Sequence, residues 1–173
     1  KINGVLIGDS TSASAADKVA AINKLTGEHG VVATAETAIK VNLDFVTPTM
    51  SNHAGATVNG ITVNFTNAKD TSDAVTLINN ATAGVIDVVA SAHTDGDLIL
   101  KSASGLTITM TGTAASNGTG AGAFVNAAVN LDGSAVTGGT VGEGIVSNRG
   151  FISLTSQDGA AISIEDGARD RDG

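Results

Sequence analysis

Imidazole is the general base and the commonest metal ligand of neutral pH, so the histidines come first. His29, His53 and His93 lie far apart in turn-like contexts. No His-x-x-x-His, His-Glu-x-x-His or Cys/His cluster accompanies them. Zinc needs three or four such ligands at short spacing, so all three read as exposed turn residues. Gly142-Glu143-Gly144-Ile145-Val146-Ser147 approaches the dinucleotide fingerprint. It ends in Ser where a third glycine must allow close helix packing, and it opens no helix. Gly118-Thr119-Gly120-Ala121-Gly122 lacks the Gly-Lys-Ser/Thr that makes a loop a phosphate cradle. No Gly-x-Ser-x-Gly elbow presents a nucleophilic serine.

The acidic segment Glu165–Gly173 invites a calcium reading. With Gly173 at the sixth loop position, Asp172 and Asp170 fall on the fifth and third, but Ala168 fails at the first. The glutamate of the twelfth position would fall past Gly173, so the segment reads as a solvated terminus. Asn64-Phe65-Thr66, Asn80-Ala81-Thr82 and Asn117-Gly118-Thr119 are formal glycosylation sequons, expected from composition in an Asn-rich chain. The chain has no cysteine, which excludes disulfides, thiolate metal sites and a Cys nucleophile. The expected sets of catalytic, cofactor-binding and metal-ligating residues are therefore empty, and no enzyme is expected.

The elements around these residues are built from an unusual palette. The 173 residues include no Trp or Tyr, four Phe and one Pro, against 22 Gly. Any core must be made of Val, Ile, Leu and Ala, and should be thin and β-rich. Mean hydropathy of +0.21 with 42% hydrophobic residues excludes a disordered, charge-rich chain. The net charge of −8 repels phosphate backbones, and no Lys/Arg cluster makes a local footprint, so nucleic acid is not an expected partner. The charge fits solubility at high local concentration. No apolar run approaches a membrane span, so no membrane partner is expected. No signal peptide is visible: Lys1 runs straight into a strand-like segment, which reads as a start within a longer protein.

Two blocks repeat at one spacing. Ile2-Asn3-Gly4-Val5-Leu6-Ile7 returns as Val58-Asn59-Gly60-Ile61-Thr62-Val63, and Ala16–Asn23 returns as Ser72–Asn79. Asn3 to Asn59 is 56 positions (59 − 3), as is Asn23 to Asn79 (79 − 23). One supersecondary unit is used twice. The spacing predicts a helix over 15–25, capped by Ser14, with Val19 and Ile22 as its buried stripe and Gly27 or Gly30 ending it. Strands follow at 30–35 and 39–45. In the second copy a strand at 57–65 leads to a helix at 72–80 capped by Thr71, with Val75 and Ile78 inward. Strands at 84–90, 98–102 and 106–110 complete it, with turns at Asp95-Gly96-Asp97 and Ser104-Gly105.

The end missing from the first copy appears late. Ile152–Gly159 matches the second copy's Leu98–Gly105 in pattern, and Ile162-Ser163-Ile164 alternates as a closing strand. The economical reading is an α+β, β-rich fold of two small antiparallel-sheet units, each with one short packed helix, the second inserted into the first. The first unit takes 1–46 plus 142–173 and the second 47–141. Pro48 sits at the outgoing junction, and Gly/Ser/Thr-rich stretches at 111–122 and 137–144 read as loops. The competing tandem arrangement would leave the first unit with an open sheet edge.

The ordered series x-Asn-Gly-Val/Ile, polar loop, Ser/Ala-Asp-x-Val-x-x-Ile-Asn helix, Gly-Val-x-Ala strand and Leu-x-Leu-x-Ser strand resembles the IN motif of bacterial flagellins and flagellar hook-associated proteins. It covers 2–35 with 151–164, and 58–110. The resemblance implies a non-enzymatic structural protein, the surface-exposed variable region of a flagellin, located outside the cell on the flagellum. Its partners would be neighbouring flagellin subunits, engaged mainly through long terminal helices that this sequence lacks, and host antibodies. Without those helices it should neither polymerise nor signal alone. Exposed Ser/Thr, notably 111–119, are glycosylated in some such proteins, though nothing singles out an acceptor. The alternatives are a hook-associated or filament-cap protein, or an adhesin-type binding module. Aromatic content of 2%, all Phe, counts against sugar platforms.

Overall fold

Both Asn-Gly pairs reverse the chain through the left-handed region. In the computed structural model, which describes residues 1–43, 45, 56–111, 125–130, 145–148 and 150–166, Asn3 and Gly4 have φ of 47° and 79°. Asn59 and Gly60 have 48° and 80°. Two successive positive φ values define the hairpin turn whose twist matches its strands. Ile2 bridges Val5 across the first turn. The second joins β2 (Ala56–Val58) to β3 (Ile61–Val63). The expected strand at 57–65 is thus a hairpin folded at its own Asn-Gly.

The helices follow from their caps. Ser14 Oγ accepts the Asp17 N–H at 3.1 Å and opens α1 (Ala15–Asn23). This helix stops two residues before Leu25; a short α2 (Thr26–His29) follows, closed by Gly30 at φ 70°. The second-copy helix, α3 (Thr71–Thr82), is capped by Asp70 and not by Thr71. Asp70 Oδ1 accepts the Asp73 N–H at 3.0 Å. The carboxylate also suits the positive helix end, while the Thr71 hydroxyl donates to the Gly96 carbonyl. Ile78 is fully buried and Val75 partly so, whereas Val19 and Ile22 are only half-buried.

The strands form two antiparallel sheets. The first centres on β1 (Val31–Leu43) and runs β4 (Val89–Ala92), β5 (Leu98–Ser102), β1, β7 (Val125–Asn130), with β9 (Phe151–Ser156) also on β1. The second runs β3, β2, β6 (Ile108–Thr111), β8 (Ile145–Asn148). The two strands expected at 30–35 and 39–45 are one continuous β1. Nothing in Glu36-Thr37-Ala38 breaks a strand, and different partners take its parts: β9 pairs 31–36, β5 pairs 37–41 and β7 pairs 39–43. The strand expected at 84–90 begins only at Val89. Gly84 has φ 71°, and the Val85 and Ile86 N–H groups turn back to the Thr82 carbonyl.

The fold is a strand-rich α+β arrangement whose core is almost wholly aliphatic. Ile39, Val41, Val58, Val63, Ile78, Leu98, Leu100, Ile108 and Met110 meet in it, with Phe65 the one fully buried aromatic among the described residues. The first copy buries smaller side chains, including Ala15, Ala21, Ala33 and Ala35. Late residues pair with early ones as their repeat counterparts do: Leu154 faces Ala33 across β9 and β1, as Leu100 faces Ala90 across β5 and β4. The expected unit boundaries at 46/47 and 141/142, Pro48, and the loops read at 111–122 and 137–144 lie outside the described residues, except for Thr111, which ends β6.

Two contrasts test this packing. Ile78→Asp places a charge in the closed core and should cost about 3–5 kcal/mol. Ile22→Asp, at a half-buried site, should cost markedly less; equal losses in urea unfolding would contradict the assignment. Gly105 and Gly159 share φ of 75°, but a Cβ on Gly105 would lie 2.2 Å from Ala35 Cβ, while one on Gly159 meets nothing within 4 Å. Gly105→Ala should therefore lower Tm well beyond the strain of about 1 kcal/mol that Gly159→Ala shares.

Candidate functional site

The residues that repeat most faithfully are asparagines, and each accepts from the equivalent backbone N–H in both copies, although Asn3 and Asn59 donate to different carbonyls. Asn23 Nδ2 donates to the Ala33 carbonyl at 2.9 Å while its Oδ1 accepts the Ala33 N–H at 2.8 Å. Asn79 does the same to Ala90, at 2.9 and 2.7 Å. Asn3 accepts the Ser163 N–H on Oδ1 at 2.8 Å, and its Nδ2 donates to the His29 carbonyl at 2.8 Å. Asn59 accepts from Thr109 at 2.6 Å and donates to the Thr107 carbonyl at 2.8 Å. A primary amide offers one acceptor and two donors, so each side chain stands in for a peptide group of an absent strand. The donor–acceptor pattern fixes the amide orientation. These are structural joints between distant segments.

His29 departs from expectation: it is buried, not exposed. Its Nδ1 accepts the Val31 N–H at 3.1 Å, and Nε2 lies 3.0 Å from the Ile22 carbonyl, so Nε2 carries the proton and donates. The ring ties α1, α2 and β1 at one corner. The sequence signal was available, since an imidazole beside a C-capping glycine can bond the carbonyls ending the preceding helix. His93 sits in the turn before β5 as expected. His53 lies outside the described residues, as do Gly142–Gly144, Gly118–Gly122 and residues 167–173.

The densest charge cluster joins that turn to β1. Lys40 Nζ donates to Asp95 Oδ2 at 2.7 Å and lies 3.2 Å from Asp97 Oδ2, and His93 Nδ1 lies 2.6 Å from Asp95 Oδ1. Asn42 Nδ2 donates to Asp97 Oδ1 at 2.6 Å. Hydrogen bonds from Lys40, then His93 and the Asp97 N–H, hold the Asp95 carboxyl well below its ordinary 3.8. The bond with Asp95, then that with Asp97, pushes Lys40 up. A raised, doubly paired ammonium is a poor nucleophile or base. Among the described residues no group of three His, Cys, Asp or Glu is placed to hold a metal ion.

Among the described residues, Ser12 and Ser14 meet the Asp17 carboxylate at the start of α1, Ser156 meets Asp158, and Ser102 meets Asp87. Ser102 Oγ donates to Asp87 Oδ2 at 3.0 Å and accepts the Leu106 N–H at 3.0 Å. The Ser104 N–H adds a bond to the same oxygen at 2.7 Å, and Ser104 holds the Asp87 carboxyl below its usual range. Ser102 is fully buried. This carboxylate braces the Ser104-Gly105 bend and activates no nucleophile.

Two outcomes follow. Asn79→Ala strips the Ala90 peptide of both partners and should destabilise by about 2 kcal/mol, read as an urea midpoint shift at constant m. Asp95 has a lowered folded pKa, so its contribution is present above 3.8 and is lost as pH falls through the folded value. The Tm gap between wild type and Asp95→Asn should thus narrow as pH falls below 3.8, and a gap that widens there would contradict the pairing.

Among the described residues no helix is long and apolar enough to cross a membrane. No protein-family model matches this chain, and no curated protein matches its sequence.

Proposed function

We propose that this chain is the outer, solvent-facing region of a bacterial flagellin, a non-enzymatic structural piece of the filament surface outside the cell. The observation that carries the reading is the matched asparagine series, Asn3/Asn59 and Asn23/Asn79. It is the hallmark of the resemblance to the IN motif, and each member has a defined joint to hold. The chemistry is consistent with an architectural role. Lys40 is paired into the Asp95-Gly96-Asp97 turn, and Ser102, beside the Asp87 carboxylate, is buried. On this reading the region presents an acidic knob that sets the charge and antigenicity of the filament. Its units would be 1–46 with 142–173, and 47–141 between them.

Assembly would reside in terminal helices outside this sequence, so the isolated chain should sediment as a non-polymerising species. The decisive experiment is immunogold labelling of the source bacterium with antibodies to the chain. Gold along the whole shaft is the expected result. Gold only at the tip or hook junction would move the assignment to a cap or hook-associated protein. Unlabelled filaments, with the epitope shown accessible on cell-surface protein, would defeat the flagellar reading in favour of an adhesin-type module.

A further inference from the structure

The two repeats diverge around one space, which Lys18 and Ala21 line in the first copy while Asp9, between the lining residues Gly8 and Ser10, is exposed. At the 56-residue offset, Val58, Val63 and Ile78 answer to Ile2, Ile7 and Ile22, apolar in both copies. Phe65 and Ala74, however, answer to Asp9 and Lys18, and Leu77 to Ala21. In the second copy Phe65 and Ala74 are completely buried in the core with Val58, Val63 and Ile78. The first copy has no ring at that place. A groove of about 260 Å³ remains there, lined by Ile2, Ile7, Ala21, Ile22, Ile152 and Ile164. Lys18 and Lys1 also line it.

The charge at this groove is as informative as its shape. The chain carries a net charge of −8. Yet the lysines lining the groove, Lys1 and Lys18, form no side-chain ion pair among the described residues. An aliphatic floor beside two ammonium groups that form no ion pair among the described residues complements a ligand that is apolar at one end and anionic at the other. The second repeat supplies the shape of the apolar end, because the group that closes its own equivalent space is a phenyl ring.

We propose that this groove is a binding site for a free aromatic carboxylate. The ring occupies the place that Phe65 holds in the second repeat, and the carboxylate meets Lys18. The proposal is independent of the flagellar reading. It turns on how one repeat unit departs from the other.

The test is a methyl-resolved NMR titration of the whole chain with 3-phenylpropionate. Saturable shifts confined to the methyls of Ile2, Ile7, Ile22, Ile152 and Ile164 are expected, with a dissociation constant on the order of 1 mM for so small a ligand. The uncharged 3-phenyl-1-propanol should bind roughly fivefold more weakly, as should 3-phenylpropionate to Lys18→Ala. Ala21→Leu installs the second repeat's residue at a lining position and should abolish the shifts by filling the groove from within. Lys18→Ala keeps the test available should Ala21→Leu fold poorly. Shifts that never saturate, that are equal for the acid and the alcohol, or that persist in a folded filling variant would overturn the assignment.

Discussion

An edge strand exposes a row of N–H and C=O groups, and a protein must cover that row or risk pairing with a neighbour. Here asparagine side chains do the covering. β4 pairs with β5 on one side, and on its open side the Ala90 peptide is closed by Asn79 while the Val88 carbonyl takes the Thr82 hydroxyl. In the first copy Asn23 closes the Ala33 peptide of β1 in the same way. Asn23 at the end of α1 and Asn79 in the last turn of α3 therefore also dock each helix onto its sheet. In a chain with no disulfide and one fully buried aromatic among its described residues, such joints carry orientation that a larger core would otherwise supply.

Much of this was legible because it rests on local rules. The Ser14 cap, the β5 strand with its Asp-Gly-Asp entry and the Gly105 bend follow from backbone freedom and capping chemistry, which neighbours seldom override, whereas the Asn59-Gly60 turn was hidden inside an expected strand at 57–65. The repeat made more visible: it identified residues 152–164 as counterparts of the second copy's end, and β9 lies on β1 with Ser163 on Asn3. What failed was non-local. The continuity of β1 depends on β9, β5 and β7 arriving from distant sequence to take up successive parts of one strand. Alternation alone cannot show whether two apolar runs are one strand. β7, with its weak Val-Asn-Ala-Ala-Val-Asn alternation, gave no signal.

The candidate site was harder to read than the fold. An asparagine's partners lie ten or more residues away, so composition marks it only as a turn former. His29 looked exposed because a turn usually is; its burial arises from packing at the corner of α1, α2 and β1. The contrast between Phe65 and Asp9 was present in the aligned repeats, but it gained meaning only once the ring was seen to fill its unit and the groove to remain open in the other. Repeats that share joints yet differ in filling are one way for a structural scaffold to acquire a site. That pattern of shared framework and local divergence connects the architecture to both the filament proposal and the groove.

Native-state hydrogen exchange of the backbone amides tests the central claim most directly. The N–H groups of Ala33 and Ala90 point away from their paired strands, and a side-chain amide is what protects them. The account predicts that both exchange nearly as slowly as the amide of Leu100 in the middle of the sheet, with opening free energies close to that of global unfolding. Exchange as fast as that of an uncovered edge amide, while Leu100 stays protected, would contradict it.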